Sequence, residues 1–536
     1  MLSIQTYPTG TGHDPRNARY LDGLLALVAE NKGFDMPGAE SLKVPVQSSW
    51  NGERLLSKIP SELARDVLGN ILCGRCEWYK VVEAVAQRIR DIPSHSFLLL
   101  GGYDCVPVEP FHQLSLKITK IDLVQTLREL EQKRAELASY SDDTVVIVGA
   151  ACRLPGASNL DELWNVLESG VSKCEEVRPD RIPINNSYRT TLDPKWFANF
   201  VNGVDQFDNE LFGISYSEAA WIDPQQRILL ELPYEALDSH GHFGHRSYSR
   251  EAGENVACFI GGTLFEYNEH TSTQAPTSYS AIGTMQAFQC GRISHHFGWY
   301  GPSETIDTAC SSSLVAISRA VSAVRSGESS MAVAGSANIL GGLNYYLDLG
   351  KACFLSPTGQ CKAFDATVEG YCRADGAGVI VLKRLKDAVA SGDEILAVIP
   401  AVGTNQGGLS KSITLPDCKA QQQLYRRVVN SAGLQPKDIS YVECHGIGTQ
   451  AGDPNEINGL RALFGDGDRE KKLFIGSVKG NISHVKAAAG VSGLIKVLAI
   501  LRQYKIPPQA SLQNVNPKIG DLEPFKMAIP SGAVQL

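Results

Sequence analysis

The chain has 536 residues, 43% hydrophobic and 20% charged, and carries a formal net charge of −8. That length allows roughly three average domains, or fewer if one is a large α/β fold, and the composition is that of a soluble globular protein. The acidic balance and the lack of a basic run argue against a general nucleic-acid binder, and no window approaches the ~20 apolar residues of a membrane span.

The opening Met1-Leu2-Ser3-Ile4-Gln5-Thr6 has neither a basic region nor a long apolar stretch, so it is not a secretory signal. Residues 1–115 mix helical patterns at 20–29, 64–72 and 79–89 with strand-like runs at 42–46 and 96–100. Cys73-Gly74-Arg75-Cys76 is a lone C-x-x-C. A zinc site needs a second ligand pair nearby, and with none in view no metal is expected. The thirteen cysteines are odd in number and scattered, several of them in strand-like runs (Cys258, Cys290, Cys444). That usage suits a reducing compartment and makes the cytoplasm the expected location.

Residues 116–141 read as a helical linker, because 121–130 has apolar helical spacing and the run ends at the polar break Ser139-Tyr140-Ser141-Asp142-Asp143. From Thr144 onward short apolar runs alternate with helical patterns. Segments 145–150, 256–261, 331–335, 378–382 and 396–402 read as buried strands, and such alternation implies a layered α/β architecture.

Cys310 sits in Asp307-Thr308-Ala309-Cys310-Ser311-Ser312-Ser313, between a strand-like lead and a helical pattern at Leu314, Ile317, Val321 and Val324. The thiol therefore lies at the amino end of a buried helix, where the dipole and free N–H groups favour a thiolate. Such a cysteine is a candidate covalent nucleophile, although a lone one would more simply be a core residue. Further on, 439–443 reads as a strand followed by Cys444-His445-Gly446-Ile447-Gly448-Thr449-Gln450-Ala451-Gly452-Asp453-Pro454-Asn455-Glu456. A second strand, 474–478, leads into Lys479-Gly480-Asn481-Ile482-Ser483-His484 and a small-residue helix. Both histidines lie past strand ends, where active-site groups collect in α/β folds.

One reaction suits these residues. The thiolate takes an acyl group from a thioester, and a malonyl thioester then loses CO2. Paired imidazoles supply the hydrogen-bond donors that the developing enolate needs in a dry cavity, and the carbanion attacks the acyl-cysteine. Lys479 could hold polar groups there, or it could be a surface lysine beside a turn. Gly446-Ile447-Gly448-Thr449-Gln450-Ala451 mimics a dinucleotide-binding fingerprint, but it lacks a βαβ unit with a ribose-binding acid.

From about Val145 the chain resembles the β-ketoacyl synthase (ketosynthase) domain of fungal non-reducing iterative polyketide synthases. The resemblance rests on Val148-Gly149-Ala150-Ala151-Cys152-Arg153-Leu154-Pro155-Gly156, Asp223-Pro224-Gln225-Gln226-Arg227, Phe354-Leu355-Ser356-Pro357-Thr358-Gly359 and Gly370-Tyr371-Cys372-Arg373-Ala374-Asp375-Gly376. Ser294-His295-His296-Phe297-Gly298-Trp299 and Trp196-Phe197-Ala198-Asn199-Phe200 point to the non-reducing group. It implies a thiolase-like α/β fold of two pseudo-duplicated halves in five layers, over residues 142–536, usually as a homodimer. By motif match Cys310 is the nucleophile, His445 and His484 the decarboxylation pair, and Lys479 the family lysine. No cofactor is expected on the chain itself. Substrates are expected on the phosphopantetheine arm of an acyl carrier protein, with an acyltransferase also acting in trans. Residues 1–115 look like a remnant of a starter-unit acyltransferase, around Asp66-Val67-Leu68-Gly69-Asn70-Ile71-Leu72 and Trp78. They lack that family's nucleophile and histidine motifs.

Four departures from the family pattern stand out. Ser483 replaces a glycine, Lys486 stands where an acid is common, and Ile447 replaces one of two threonines that bind the carrier arm, leaving Thr449. The chain also ends at Leu536, before the glycine-rich turn expected to complete an oxyanion hole, which makes a truncated domain with its last strands missing the expectation. The alternative is a catalytically inactive remnant or partner-binding scaffold of a polyketide synthase. Thiolase and chalcone-type enzymes fit less well, since those use a second cysteine or an asparagine partner.

Overall fold

The computed structural model describes residues 95–99, 118–122, 136–182, 195–239, 254–408, 415–467 and 469–536. The chain separates into two compact units, Met1–Tyr140 and Ser141–Leu536. In the first, the described residues include strands β1 (His95–Leu99) and β2 (Ile118–Asp122), paired in parallel. The expectation of a helical linker over 116–141 is therefore corrected at its start. Leu114-Ser115-Leu116-Lys117-Ile118-Thr119 alternates with the period of two that suits a strand, and the helical spacing begins only at its end. The acyltransferase-like stretch and the Cys73–Cys76 pair lie outside the described residues.

The second unit is built on a mixed six-stranded sheet. Its strands are β3 (Val145–Arg153), β4 (Val256–Gly261), β5 (Ser303–Ile306), β6 (Met331–Asn338), β7 (Gly376–Arg384) and β8 (Ala397–Ile399), in the order β8-β3-β7-β6-β4-β5. β4 runs parallel to both β5 and β6, whereas β7 runs antiparallel to β6 and β3. The strands are continuous apolar runs because both faces are covered, and every residue of β4 and β6 is buried.

Helices α1 (Pro224–Asp238) and α2 (Phe288–Phe297) cover one face. Cys290 thus lies on a helix, not in the strand-like run its neighbours suggest; Cys290, Ile293 and Phe297 are buried together at helical spacing. On the other face lies α3 (Ser312–Ser326), and beyond it in the chain come α4 (Cys418–Ser431), α5 (Gly452–Phe464) and α6 (Ala489–Gln503). Strands β9 (Tyr441–Glu443), β10 (Leu473–Gly476) and β11 (Met527–Ala528) form a second, parallel sheet in the order β9-β10-β11.

Helix α6 lies between the two sheets, with Ile495 and Val491 against Gly378 of β7 and Lys496 against Gly476 of β10. Such a position demands burial on every side, and Val491, Ser492, Gly493, Ile495, Leu498 and Ala499 are all buried. Its one buried cation, Lys496, pairs with Glu443 at 2.9 Å. Helices α4 and α5 close the far side of the second sheet around Val429, Ile457, Leu460, Leu473 and Ile475. Five layers result, and a strand, a turn and a buried central helix occur in that order twice. The two central helices meet near their amino ends. At Gly490 an added Cβ would lie 2.4 Å from Leu314 Cγ and 3.0 Å from Ser313 Oγ, so only glycine permits the approach.

Candidate active site

Strand β5 ends at Ile306, and Asp307-Thr308 lead into a single 3-10 turn, Ala309–Ser311, that runs directly into α3. Asp307 Oδ1 accepts from Ala309 N at 2.9 Å, and the Ser312 hydroxyl accepts from Thr308 N at 2.9 Å while donating to Ala309 O at 2.7 Å. These bonds hold Ala309 at φ +55°, a left-handed conformation uncommon for a residue with a Cβ. The turn leaves Cys310 half-buried at the amino end of a fifteen-residue helix.

His445 lies on the loop after β9. Gly446 and Gly448 adopt φ +43° and +81°, and added Cβ atoms would meet Ser477 Cβ at 2.7 Å and Lys362 N at 3.0 Å. The G-x-G pattern therefore serves this tight loop. Two carboxylates of α5, not foreseen as site residues, hold its backbone. Glu456 accepts from His445 N at 2.7 Å and Gly446 N at 2.9 Å, and Asp453 accepts from Gly448 N at 3.2 Å and Thr449 N at 3.3 Å. The signal was on display in Gly452-Asp453-Pro454-Asn455-Glu456, immediately after the histidine. The Thr449 hydroxyl accepts from Gly452 N at 3.1 Å, and Ile447 packs against Cys361, Tyr371 and Cys372.

Glu443, at the end of β9, accepts from Val478 N at 2.5 Å and so anchors the turn Lys479–Ile482. Lys479 is buried, at 3% exposure, and is not a surface lysine. His484 follows, pinned to the two-residue strand Arg373–Ala374: its N donates to Cys372 O at 2.9 Å and its O accepts from Ala374 N at 3.2 Å.

The folded chain brings three side chains together. His484 Nε2 lies 3.1 Å from Cys310 Sγ. The His445 and His484 rings stand 5.5 Å apart at 88°, and Tyr371 meets His484 edge-on at 5.2 Å. Nδ1 of His484 is buried and has no partner among the described residues. An N–H there would be an orphaned donor, so the proton belongs on Nε2, facing the sulfur. Burial, then His445, Lys479, Lys486 and Arg373, hold His484 well below the ordinary imidazole range. Enclosure by protein, then Lys479 and Lys486, depress His445 too, although the residue is exposed. Both rings are therefore neutral donors at neutral pH. The nearby Cys361 thiol is pushed by burial up to about 11, which marks it as structural.

Ser483 adopts φ +63° and ψ −167°, a region essentially reserved for glycine. Its hydroxyl donates to Asn199 Oδ1 at 3.1 Å. Backbone strain of ~1–3 kcal/mol outweighs a hydrogen bond of ~0.5–1.5 kcal/mol. Ser483→Gly is thus expected to stabilise the protein by about 1 kcal/mol. Chemical denaturation checks this, and a lower midpoint in the variant would refute it.

Family models place the chain. The β-ketoacyl synthase N-terminal domain matches residues 142–388, and the β-ketoacyl synthase C-terminal domain matches residues 396–513. The chain belongs to the β-ketoacyl synthase family. Among curated relatives, it is 45% identical to the non-reducing polyketide synthase atr1 of Stereocaulon alpinum, over 97% of this chain and 21% of that protein. It is 46% identical to the non-reducing polyketide synthase pks12 of Talaromyces marneffei, over 97% of this chain and 30% of that protein. The ketosynthase described here therefore spans less than a third of the length of these relatives. Among solved structures, the oxazolomycin ketosynthase domain OzmH KS7 of Streptomyces albus aligns with a TM-score of 0.66 and 35% identity, covering 73% of this chain and 68% of that one. A ketosynthase from module 6 of the bacillaene synthase of Bacillus subtilis gives 0.66 and 33%, covering 73% and 67%. The five-layered α/β unit is the thiolase-like fold of a condensing transferase. Among the described residues no helix is long and apolar enough to cross a membrane.

Proposed function

We propose that this ketosynthase joins an acyl thioester to a malonyl thioester by decarboxylative Claisen condensation, with Cys310 as nucleophile. The observation that carries the reading is His484 Nε2 at 3.1 Å from Cys310 Sγ, with the His445 ring 5.5 Å away from that of His484. The thiolate attacks the acyl carbonyl, the donor thiol leaves, and a neutral thioester forms on Sγ. The malonyl unit then loses its carboxylate as CO2, and the electron pair of the broken C–C bond passes to Cα and the thioester oxygen. His445 and His484 donate hydrogen bonds to that oxygen. Cα attacks the acyl carbonyl, a C–C bond forms, the C–S bond breaks and the Cys310 thiolate returns.

Lys479 contributes positive charge that acts on both imidazoles. Substrates arrive on the phosphopantetheine arm of an acyl carrier protein, with an acyltransferase supplying malonyl groups. Thr449 keeps its hydroxyl proton for that arm, while Ile447 offers it only an apolar wall. The sheet ends at β5, whose Ser303 is exposed, and this open edge suits pairing with a second copy in a homodimer. Labelling with a radioactive acyl thioester tests the nucleophile. The parent is expected to retain label through denaturation and Cys310→Ala to retain none; equal labelling of the two would remove Cys310 from its role.

A further inference from the structure

Lys486 opens the 3-10 turn Lys486–Ala488 that precedes α6, and this turn packs against the Ala309–Ser311 turn carrying the nucleophile. Its side chain is half-buried, and Nζ sits 5.6 Å from the centre of the Tyr371 ring. Tyr371 in turn meets His484, which touches Cys310. Among the described residues no carboxylate lies within ion-pairing distance of Lys486. Burial weighs most against its charge and Arg373 adds to that, while the Cys310 and Glu266 side chains favour it.

The condensation sequence removes that support at one stage. Once Cys310 is acylated, sulfur is a neutral thioester, and a partly desolvated ammonium loses one of the two groups that favour its charge. At that stage the second substrate arrives, and it differs from the first in carrying a carboxylate. Loss of CO2 takes the negative charge away again, and release of the product restores the thiolate. The charge on Lys486 is thus compensated alternately by sulfur and by the incoming carboxylate. Lys479 and Arg373 also act on His484, but Arg373 is already paired with Glu266.

We propose that Lys486 reads the carboxylate of the extender thioester, so that the acylated enzyme selects a dicarboxylic over a monocarboxylic unit. The inference rests on the condensation reading above. An ion pair made before CO2 leaves acts on binding and not on the chemical barrier, so it belongs in affinity and KM.

Calorimetry on the full chain, with Cys310 acylated, tests it using two non-hydrolysable thioether analogues of the malonyl unit, one a free carboxylate and one its primary amide. The parent is expected to bind the carboxylate at least about tenfold more tightly than the amide, as one charge pair in a partly desolvated site allows. Lys486→Met is expected to bring the ratio close to one through weaker carboxylate binding, and Lys486→Arg to keep most of it. The amide is the internal control for an intact pocket. A Lys486→Met protein that keeps the parent ratio, or a parent with no preference, overturns the proposal while leaving condensation standing. If Lys486→Met does not fold, an unchanged ratio in Lys486→Gln overturns it equally. Failure of Cys310 to take the acyl group would instead sink the condensation reading, and this inference with it.

Discussion

Replacing His484 by alanine is expected to slow condensation by about 10²–10⁴-fold, the range for a positioned proton donor or acceptor acting in the transition state. The effect follows from place. Nε2 is 3.1 Å from Cys310 Sγ, the sulfur proposed as nucleophile. The variant removes the hydrogen bond to sulfur together with one of two donors to the oxyanion, so both acylation and CO2 release should slow. The His445 ring stands 5.5 Å from that of His484, centre to centre, and no hydrogen bond joins it to Cys310 among the described residues. His445→Ala is therefore expected to impair CO2 release while Cys310 still takes up acyl label. Single-turnover release of labelled CO2 from malonyl thioester separates the two, and an His484→Ala enzyme that releases CO2 at the parent rate would refute the assignment. The pH dependence has a defined sign. Both imidazoles are held below their ordinary value, so the folded protein refuses protons that the unfolded chain accepts as pH falls below ~6.5. Activity should show no acid limb at the ordinary histidine pKa, while stability declines as pH drops through that value.

Much of the site was legible because its parts are local. The Cys310 turn is a strand end, a run of small residues and the first periodic positions of a helix, all within ten residues. β4 falls where its apolar run does, at Val256–Gly261. Each histidine follows its own strand. What the sequence hides is how distant segments satisfy one another. Glu456 reaches back to two backbone amides of the His445 loop, and Glu443 anchors the turn before Lys479, but a carboxylate that accepts from backbone N–H leaves no periodic trace. Lys479 looked ambiguous for the same reason, since its burial depends on residues that arrive from other layers. β2 was read as helix because alternation and helical spacing overlap near Ile121. Ser483 is the reverse case: a side chain at a glycine position already announces backbone strain, and the structure gives its angles.

Removing the carboxylate of Glu266 is expected to destabilise the ketosynthase by about 3–5 kcal/mol, as for any buried ion pair that loses one partner. Arg373 is fully buried and Glu266 is 2% exposed. One Glu266 oxygen pairs with Arg373 Nη2, and the other accepts from Gly341 N at 3.1 Å and Gly342 N at 2.9 Å. Among the described residues Arg373 Nε and Nη1 have no hydrogen-bond partner, and the guanidinium lies over the Tyr346 ring at 4.5 Å. Glu266→Ala would leave that cation with an aromatic face as its nearest compensation and would orphan two backbone amides as well. The damage should reach the active site, because Arg373 belongs to the short strand that holds the backbone of His484 on both sides. The pair also offers its own control. Exchanging both partners for apolar residues of similar volume, as in Glu266→Met with Arg373→Met, removes the uncompensated charge and should cost less than Glu266→Ala alone. Chemical denaturation of the single and double variants measures the difference. A Glu266→Ala protein within about 1 kcal/mol of the parent would mean that the guanidinium finds another counter-charge, and that His484 is held in place by its backbone bonds without help from the ion pair beneath them.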